Sequence, residues 1–331
     1  IVNGNMRIDA SNKFGDASNE RLLPIWSISG RWNLHENVLQ NCGWINLLAL
    51  KMSFGYQGNM SAQDSPRLVI QKKGTNTFFN EYYSLIDKYP NPNLRWEKTS
   101  TYNVDLEFAM FRNKLRGSFG YYYRYTKDAF LEKKVSMVNG VENYTVNAGN
   151  IRNQGFEFTF NFTPINTMLN QAAVSGRKRG FVWRLDPNFG SVFNQLIDKV
   201  KPRNKPLQDE IKYTDYLTGK VYLAGRPVNT FYSYKFKGLN PENGSPMFYN
   251  TDRYVMEGDQ EVDMGEVYNN MDKEEVFRTV MTRSGCREPF LQGGISNYFG
   301  WRNLGLSINL AYSIGAKIRM FKMYPTPGNI A

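Results

Sequence analysis

The stretch TYNVDLEFAMFRNKLRGSFGYYYRYTKDAFL, Thr101–Leu131, decides the fold. In its first half Tyr102, Val104, Leu106, Phe108 and Met110 alternate with Thr101, Asn103, Asp105 and Glu107. In its second half the odd positions Leu115, Phe119, Tyr121, Tyr123, Tyr125, Ala129 and Leu131 are mostly apolar or aromatic. The even positions there include Lys114, Arg116, Ser118, Arg124, Thr126 and Asp128. Successive side chains of a pleated strand point to opposite faces, so each half reads as a strand with one apolar and one polar side. Only Arg112 and Asn113 separate the two runs, which predicts a tight hairpin.

The same alternation recurs outward from this hairpin. Trp26, Ile28 and Trp32 show it, as do Leu48, Leu50, Met52, Phe54 and Tyr56; Phe156, Phe158, Phe160 and Phe162; and Leu304, Leu306, Ile308, Leu310, Tyr312 and Ile314. Helical periodicity is scarce. The pattern predicts strands over 2–9, 22–33, 46–57, 98–111, 114–131, 151–163, 178–195, 290–301 and 304–318. Their connections alternate in length: the odd-numbered ones total about 165 residues and the even-numbered ones about 30. Antiparallel neighbours put alternate connections on opposite rims, so this asymmetry fits a barrel with short periplasmic turns and long extracellular loops. Several of the strands also exceed the roughly 5–6 residues usual in globular sheets.

Composition narrows the function classes. The chain has 331 residues, a net charge of +11, 41% hydrophobic and 15% aromatic residues. That is too apolar for a disordered chain, and no run approaches the roughly 18 apolar residues of a membrane-spanning helix. The negative mean hydropathy does not oppose a barrel, because only alternate strand residues would meet lipid. Two cysteines, Cys42 and Cys286, supply neither a disulfide scaffold nor a four-cysteine zinc site, and His35 is the sole histidine. No nucleophile with a base, paired-carboxylate site or phosphate loop emerges, so the expectation is a protein that is not an enzyme and has no metal or cofactor.

A sheet in hydrocarbon must close, because each unpaired edge group costs several kcal/mol. Nine strands is an odd number, unlike bacterial single-chain barrels. The sequence therefore predicts further strands on a longer polypeptide, consistent with Ile1–Met6, which already reads as the interior of a strand, and with Pro325-Thr326-Pro327, which reads as an interrupted loop. Trp26, Trp32, Tyr121, Tyr123 and Trp301 lie near strand ends and suit interfacial girdles.

Particular strings carry a family resemblance. NPNLRWEKTSTYNVDLEFAMFRNKLRGSFGYYYRYTKDAFL (Asn91–Leu131) followed by NAGNIRNQGFEFTFNF (Asn147–Phe162) resembles the barrel of the SusC/RagA family of TonB-dependent outer-membrane transporters. MRIDASNKFG (Met6–Gly15), WSISGRWNL (Trp26–Leu34) and LKMSFGYQGN (Leu50–Asn59) resemble three consecutive barrel segments of that family. FYSYKFKGLNPENGSPMF (Phe231–Phe248) resembles one of its large outer loops, and GGISNYFGWRNLGLSINLAYSIGAKIRMFKMYP (Gly293–Pro325) continues in the family's order. The resemblance weakens between about 164 and 225 and between 250 and 288.

This resemblance implies an all-β fold: residues 1–331 as part of an antiparallel 22-stranded transmembrane β-barrel with long extracellular loops, residues 196–289 forming one large loop. The family's amino-terminal extension, TonB-interacting segment and plug are not visible in this sequence. The implied activity is TonB-dependent import of an oligosaccharide or peptide with a SusD-like surface lipoprotein over the outer mouth. The implied surroundings are outer-membrane lipid and lipopolysaccharide.

Candidate site residues fall in two groups. Parity assigns Lys51, Ser53, Asp105, Glu107, Arg116, Arg124, Glu157, Thr159 and Asn161 to the lumen, where Asp105, Glu107, Arg116, Arg124 and Glu157 are the charged candidates. A polar wall needs such residues merely to hold water or a plug. In the loop at 225–250, Phe231, Tyr232, Tyr234 and Tyr249 could stack on a ligand, but packing of the loop or docking of a partner is the favoured reading. The basic residues Arg177, Lys178 and Arg179, and Lys199 to Lys212, follow no nucleic-acid motif, so no nucleic-acid partner is expected. The acidic stretch 251–275 lacks calcium-loop spacing and reads as an exposed loop. Asn59, Asn143 and Asn161 head N-x-Ser/Thr triplets that arise often by chance, and Cys42 and Cys286 are placed near opposite rims. The rival reading is a soluble or surface carbohydrate-binding module, which predicts two sheets packed on their aromatic faces.

Overall fold

A computed structural model describes residues 1–11, 22–60, 67–91, 93–134, 143–167, 180–199, 211–218, 221–252, 254–257 and 260–318. Its strands are β1 (Val2–Ala10), β2 (Leu22–Asn33), β3 (Ile45–Asn59), β4 (Val69–Asn76), β5 (Glu81–Lys88), β6 (Glu97–Met110), β7 (Leu115–Lys134), β8 (Asn143–Asn166), β9 (Phe181–Lys199), β10 (Thr230–Ser233), β11 (Phe236–Leu239), β12 (Pro246–Phe248), β13 (Tyr254–Glu257), β14 (Gln260–Asp263), β15 (Thr282–Cys286), β16 (Leu291–Trp301) and β17 (Leu304–Ile314). The chain divides into two compact units, Ile1–Val200 with Gln292–Tyr312, and Lys201–Leu291 with Ser313–Ala331.

In the first unit nine strands form one sheet in the order β1-β2-β3-β6-β7-β8-β9-β16-β17. Pairing is antiparallel from β1 through β16. Every wall strand lies beside its predecessor along the wall, and β1 and β17 are the two edges of this sheet. All nine strands expected from alternation are present, in the expected order. The 14 residues of β6 rise about 3.4 Å each, so a tilt near 40° gives a height of about 35 Å, more than the ~25 Å apolar band of an outer-membrane barrel.

The two faces differ as the alternation requires. Ile28, Met52, Tyr102, Val104, Phe119 and Tyr121 lie exposed on one face, and Leu304, Leu306, Ile308 and Leu310 are exposed along β17. No second sheet covers them among the described residues, so the packed aromatic interior of the sandwich reading is not found. Aromatic rings cross this face as a ladder: Trp26 to Phe54 at 4.9 Å, Phe54 to Tyr102 at 4.5 Å and Tyr102 to Tyr123 at 6.2 Å between centroids. Trp32 and Trp301 stand exposed beside two of the short connections. At the same rim Trp44 and Phe111 stack at 5.8 Å, their backbones joined by the Phe111 amide donating to the Trp44 carbonyl.

Three details depart from the sequence reading. Alternation in β7 holds to Thr126, where Asp128 takes a φ of 58° and the pairing with β8 shifts register. An extra bulge residue upsets the order of faces, so Ala129 and Leu131 are buried at 1% and 6% exposure instead of continuing the exposed side. β8 begins at Asn143, well before the expected 151, because the Asn- and Gly-rich opening Asn143–Asn150 pairs with the end of β7 in spite of its turn-like composition. The long connection after β3 also contains the β4–β5 hairpin.

The extended ends of β7 and β8 are tied to the segment before β6. The Asn147 side-chain amide donates to the carbonyls of Arg95 (2.9 Å) and Asp128 (2.8 Å) and its oxygen accepts from the Arg95 amide (3.0 Å). Arg95 pairs with Asp128 at 2.8 Å, and Asn91 donates to the Thr145 carbonyl at 2.9 Å. Leu94 and Leu196 are fully buried in this part of the molecule.

The second unit has its own core of Ile211, Tyr216, Val221, Val280 and Met281, against which Leu223, Tyr232, Tyr268, Val276 and Phe277 pack. The acidic stretch is more ordered than a plain exposed loop. β13 and β14 form a hairpin, Asp263 caps the helix Met264–Asn270 by accepting from the Gly265 amide at 2.8 Å, and Asp272 precedes the helix Lys273–Val280 with Glu274 and Glu275 in its first turn. Carboxylates there satisfy or oppose the partial positive charge of free amides, which explains their density. No cluster of metal-ligating residues occurs among the described residues. Cys42 and Cys286 are free thiols.

Val104→Arg puts a charge on the exposed apolar face and is expected to cost about 2–4 kcal/mol in lipid vesicles, against less than about 1 kcal/mol for Ser53→Arg on the other face. Equal shifts in the urea midpoint of the full-length protein would show that neither face meets hydrocarbon. Asn147→Ala leaves the Arg95 amide and two carbonyls unpartnered and is expected to lower local stability by about 1–3 kcal/mol, read as faster amide exchange at Arg95. Burial raises the Tyr216 and Tyr232 phenols above their ordinary value of 10.0. Since the unfolded phenols ionise first, the second unit keeps this stability below pH ~10 and loses it as pH climbs from there through the raised values. Tyr216→Phe with Tyr232→Phe is expected to flatten that alkaline loss in thermal unfolding.

Candidate functional site

The cross-strand register brings the polar candidates onto one face of the sheet. Lys51 stands opposite Asp105 and Ser53 opposite Asn103 between β3 and β6. Asp105 stands opposite Gly120, and Gly120 opposite Glu157, across β6, β7 and β8. Arg116 faces Asn161 and Ser118 faces Thr159. Every one of Lys51, Ser53, Asp105, Glu107, Arg116, Arg124, Glu157, Thr159 and Asn161 therefore shares the side away from the exposed aromatic ladder.

Much of this face satisfies itself. Glu107 is held between Arg31 at 3.1 Å and Lys51. The Asn103 amide donates to Ser53 at 2.9 Å, Ser118 and Thr159 share a hydrogen bond at 2.8 Å, and Thr99 and Thr126 share a buried one at 2.9 Å. Asp186 is engaged by Asn161 and by Arg184 at 2.8 Å. Partly exposed pairs of this kind each contribute at most about 1 kcal/mol, so they mainly fix side-chain positions.

One region differs. A cavity of ≈ 560 Å³ opens on β6–β9, lined by Asn103, Asp105, Gly120, Tyr122, Arg124 and Glu157 together with Tyr121, Asn153 and Val192. Its floor follows from glycine. A Cβ on Gly120 would stand 2.6 Å from the Asp105 Oδ1, so the carboxylate leans over the bare backbone between the two acid-bearing strands. Gly155 serves the neighbouring wall: a Cβ there would meet the Tyr122 hydroxyl at 2.7 Å and the Ser191 carbonyl at 2.2 Å, so only glycine lets the tyrosine ring lie down. Among the described residues Asp105, Arg124 and Glu157 form no salt bridge with any neighbour, in contrast to Glu107 and Asp186.

Three of the five charged candidates thus meet in one cavity: Asp105, Arg124 and Glu157. Glu107 is committed to its ion pairs, and Arg116 lies apart from the cavity lining. Tyr122 was legible only as a tyrosine out of phase with Tyr121 and Tyr123, while the part played by Gly120 required the register of three strands.

The loop aromatics do not converge as a set. Phe231 stands opposite Gly285 in the β10–β15 pair, and Tyr232 joins the core of the second unit with Tyr216 edge-on at 5.6 Å. Tyr234 is exposed and packs on Phe248 at 5.6 Å and Phe277 at 6.4 Å. Tyr249 is also exposed, with the Lys235 ammonium 4.8 Å from its ring centroid.

With this geometry in hand, the relatives of the chain give it a place. The family profile described as TonB dependent receptor-like, beta-barrel matches residues 4–314. TonB-dependent receptor P3 of Formosa agariphila is 24% identical over 94% of this chain and 30% of its own length. TonB-dependent receptor SusC of Bacteroides thetaiotaomicron is 27% identical over 73% of this chain and 24% of its own. The structure of the RagAB peptide transporter superposes with a TM-score of 0.73 at 22% identity, covering 95% of this chain and 31% of that one. The chain spans about a third or less of each of these proteins, and receptors and transporters, not enzymes, make up their family. It belongs to the TonB-dependent receptor β-barrel family, proteins of the outer membrane, and corresponds to part of the barrel wall.

Proposed function

We propose that this chain is a section of the wall of a TonB-dependent importer that carries an oligosaccharide or peptide across the outer membrane. The observation that carries this reading is the inversion of the sheet: its apolar face is exposed, while its opposite face is a hydrogen-bonded polar surface with a charged cavity. A soluble sheet hides the apolar side; a barrel wall turns it to lipid and lines the passage with the polar side.

On this reading residues 1–331 contribute nine of about 22 strands, the free edges at β1 and β17 pair with further strands, and the stretch expected as a loop over 196–289, which begins only after β9 ends at Lys199, forms a large loop on the extracellular side. TonB acts through a plug supplied elsewhere in the polypeptide, lipid and lipopolysaccharide surround the wall, and a SusD-like lipoprotein covers the outer mouth. Phe231, Tyr232, Tyr234 and Tyr249 belong to that loop. Of these, Tyr234 and Tyr249 are the more available for contact with ligand or lipoprotein, being exposed.

The test is uptake in the native bacterium. Deleting the gene for the full-length protein, or the gene for TonB, is expected to abolish accumulation of one labelled glycan or peptide from a panel, with the protein recovered only in detergent extracts of the outer membrane. Recovery of the full-length protein as a stable monomer without detergent would refute the proposal.

A further inference from the structure

We infer that the outer face of the wall carries a binding site for a phosphate group of lipopolysaccharide, formed by Lys98, Lys127 and Arg152 on the adjacent strands β6, β7 and β8. This rests on the outer-membrane wall of the importer reading and adds to it one lipid contact of stated chemistry.

The outer face of β6 and β7 is graded along its height. Register pairs Met110 with Leu115, Phe108 with Gly117, Leu106 with Phe119 and Val104 with Tyr121, then Tyr102 with Tyr123 and Ser100 with Tyr125, and finally Lys98 with Lys127. These residues share one side of the pleat, so no charged side chain stands there between the hairpin and the lysine pair. β8 repeats the grade: Phe162, Phe160, Phe158 and Phe156 give way to Gln154 and then to Arg152, which faces Tyr125. Twelve residues separate Met110 from Lys98. At about 3.4 Å each and a tilt near 40° they raise the lysine pair about 31 Å above the short hairpin, just beyond the ~25 Å apolar band. The cations therefore stand at headgroup depth, directly above tyrosines of the kind that mark a membrane interface. This is the end of β6 and β7 that carries the long connections.

The arrangement of the cations points to an anion. Lys98 and Lys127 are direct cross-strand partners with Cα atoms about 5 Å apart, and Arg152 is the diagonal neighbour of Lys127 at about 7–8 Å. Like charges set opposite each other destabilise a strand pair, and a lysine that merely reaches for water needs no second cation facing it. A phosphate held between them turns that repulsion into charge-assisted hydrogen bonds from two ammoniums and a guanidinium. Lys127 is exposed, and Lys98 and Arg152 are half-buried. Arg152 donates to Gln195 and has further guanidinium donors to offer. Carboxylates nearby are engaged elsewhere: Asp128 pairs with Arg95 at 2.8 Å, Asp198 accepts from the Asn150 backbone amide at 3.1 Å, and Glu97, on the other face, accepts from Asn59 at 3.0 Å. β3 and β9 continue the wall on both sides of these strands, so this face looks outward however the barrel closes beyond β1 and β17, and a plug lies on the opposite side.

The experiment uses the full-length protein purified in detergent and native mass spectrometry with lipid A, the phosphorylated anchor of lipopolysaccharide, with dephosphorylated lipid A, and with inorganic phosphate as competitor. Variants are Lys98→Gln/Lys127→Gln, Lys98→Arg/Lys127→Arg, Arg152→Gln and, as a control for net charge, Lys72→Gln/Lys73→Gln, each checked for the heat-modifiable gel mobility of a folded barrel. Lipid A is expected to bind the wild type, the arginine pair and the control alike. The Lys98→Gln/Lys127→Gln pair and Arg152→Gln should each weaken it by at least about tenfold, and dephosphorylated lipid A should bind the wild type no better than lipid A binds the glutamine pair. Inorganic phosphate should not displace the lipid. Unchanged affinity in the folded glutamine pair, an equal loss in the control, or equal binding of the dephosphorylated lipid would each overturn the site. Displacement by inorganic phosphate would assign it to a free anion, and loss of a copurifying acidic protein with lipid A binding intact would assign it to a protein; either overturns the lipid proposal. Absence of the full-length protein from the outer membrane would remove the importer reading, whereas lost specificity for lipid A in a protein that stays there removes this site alone.

Discussion

Backbone hydrogen bonding is the constraint on which the rest depends. In hydrocarbon a strand has no water to satisfy its amides and carbonyls, so each must find a neighbouring strand. The nine wall strands meet this by pairing with the next strand along the wall, β3 with β6 and β9 with β16 across the strands inserted between them, and only then does side-chain parity acquire its meaning. With register fixed, Val104 and Phe119 are committed to one side and Asp105 and Glu157 to the other. A one-residue slip would send carboxylates to lipid and aromatic rings to water.

Register also creates the cavity. None of Asp105, Gly120 and Glu157 is near another in sequence apart from the β6–β7 hairpin, yet pairing lines them up in a row. A side chain at Gly120 would meet the Asp105 carboxylate, and a side chain at Gly155 would expel Tyr122. The chemistry of the face therefore depends as much on where side chains are missing as on which charges are present.

The fold was legible because alternation is a local signal. Tyr102 through Met110 and Leu115 through Tyr125 reveal their faces without any tertiary knowledge, and the short break between them marks the hairpin, whose turn takes the four residues Phe111–Lys114 rather than Arg112 and Asn113 alone. Sequence reading failed where geometry overrides composition. The bulge at Asp128 interrupts parity, and Asn143–Asn150 looks like a turn but is held in β8 by β7 and by the Asn147 contacts to Arg95 and Asp128. The acidic residues 251–275 hid two helices because their carboxylates act at helix starts, a role with weak periodicity over helices this short. For the site, parity identified which charged side chains share a face, but ion pairing sorted them: Glu107 became a structural partner of Arg31 and Lys51, while Asp105, Arg124 and Glu157 stayed together at the cavity.

Single nitroxide labels placed in turn at residues 101 through 110 of the full-length protein in phospholipid bilayers test the central claim most directly. The account predicts that collision with oxygen peaks at even positions such as 102, 104, 106 and 108, and collision with a water-soluble nickel complex peaks at the odd positions between them. Accessibility without this two-residue period, or protection of the even positions from both reagents, would contradict it.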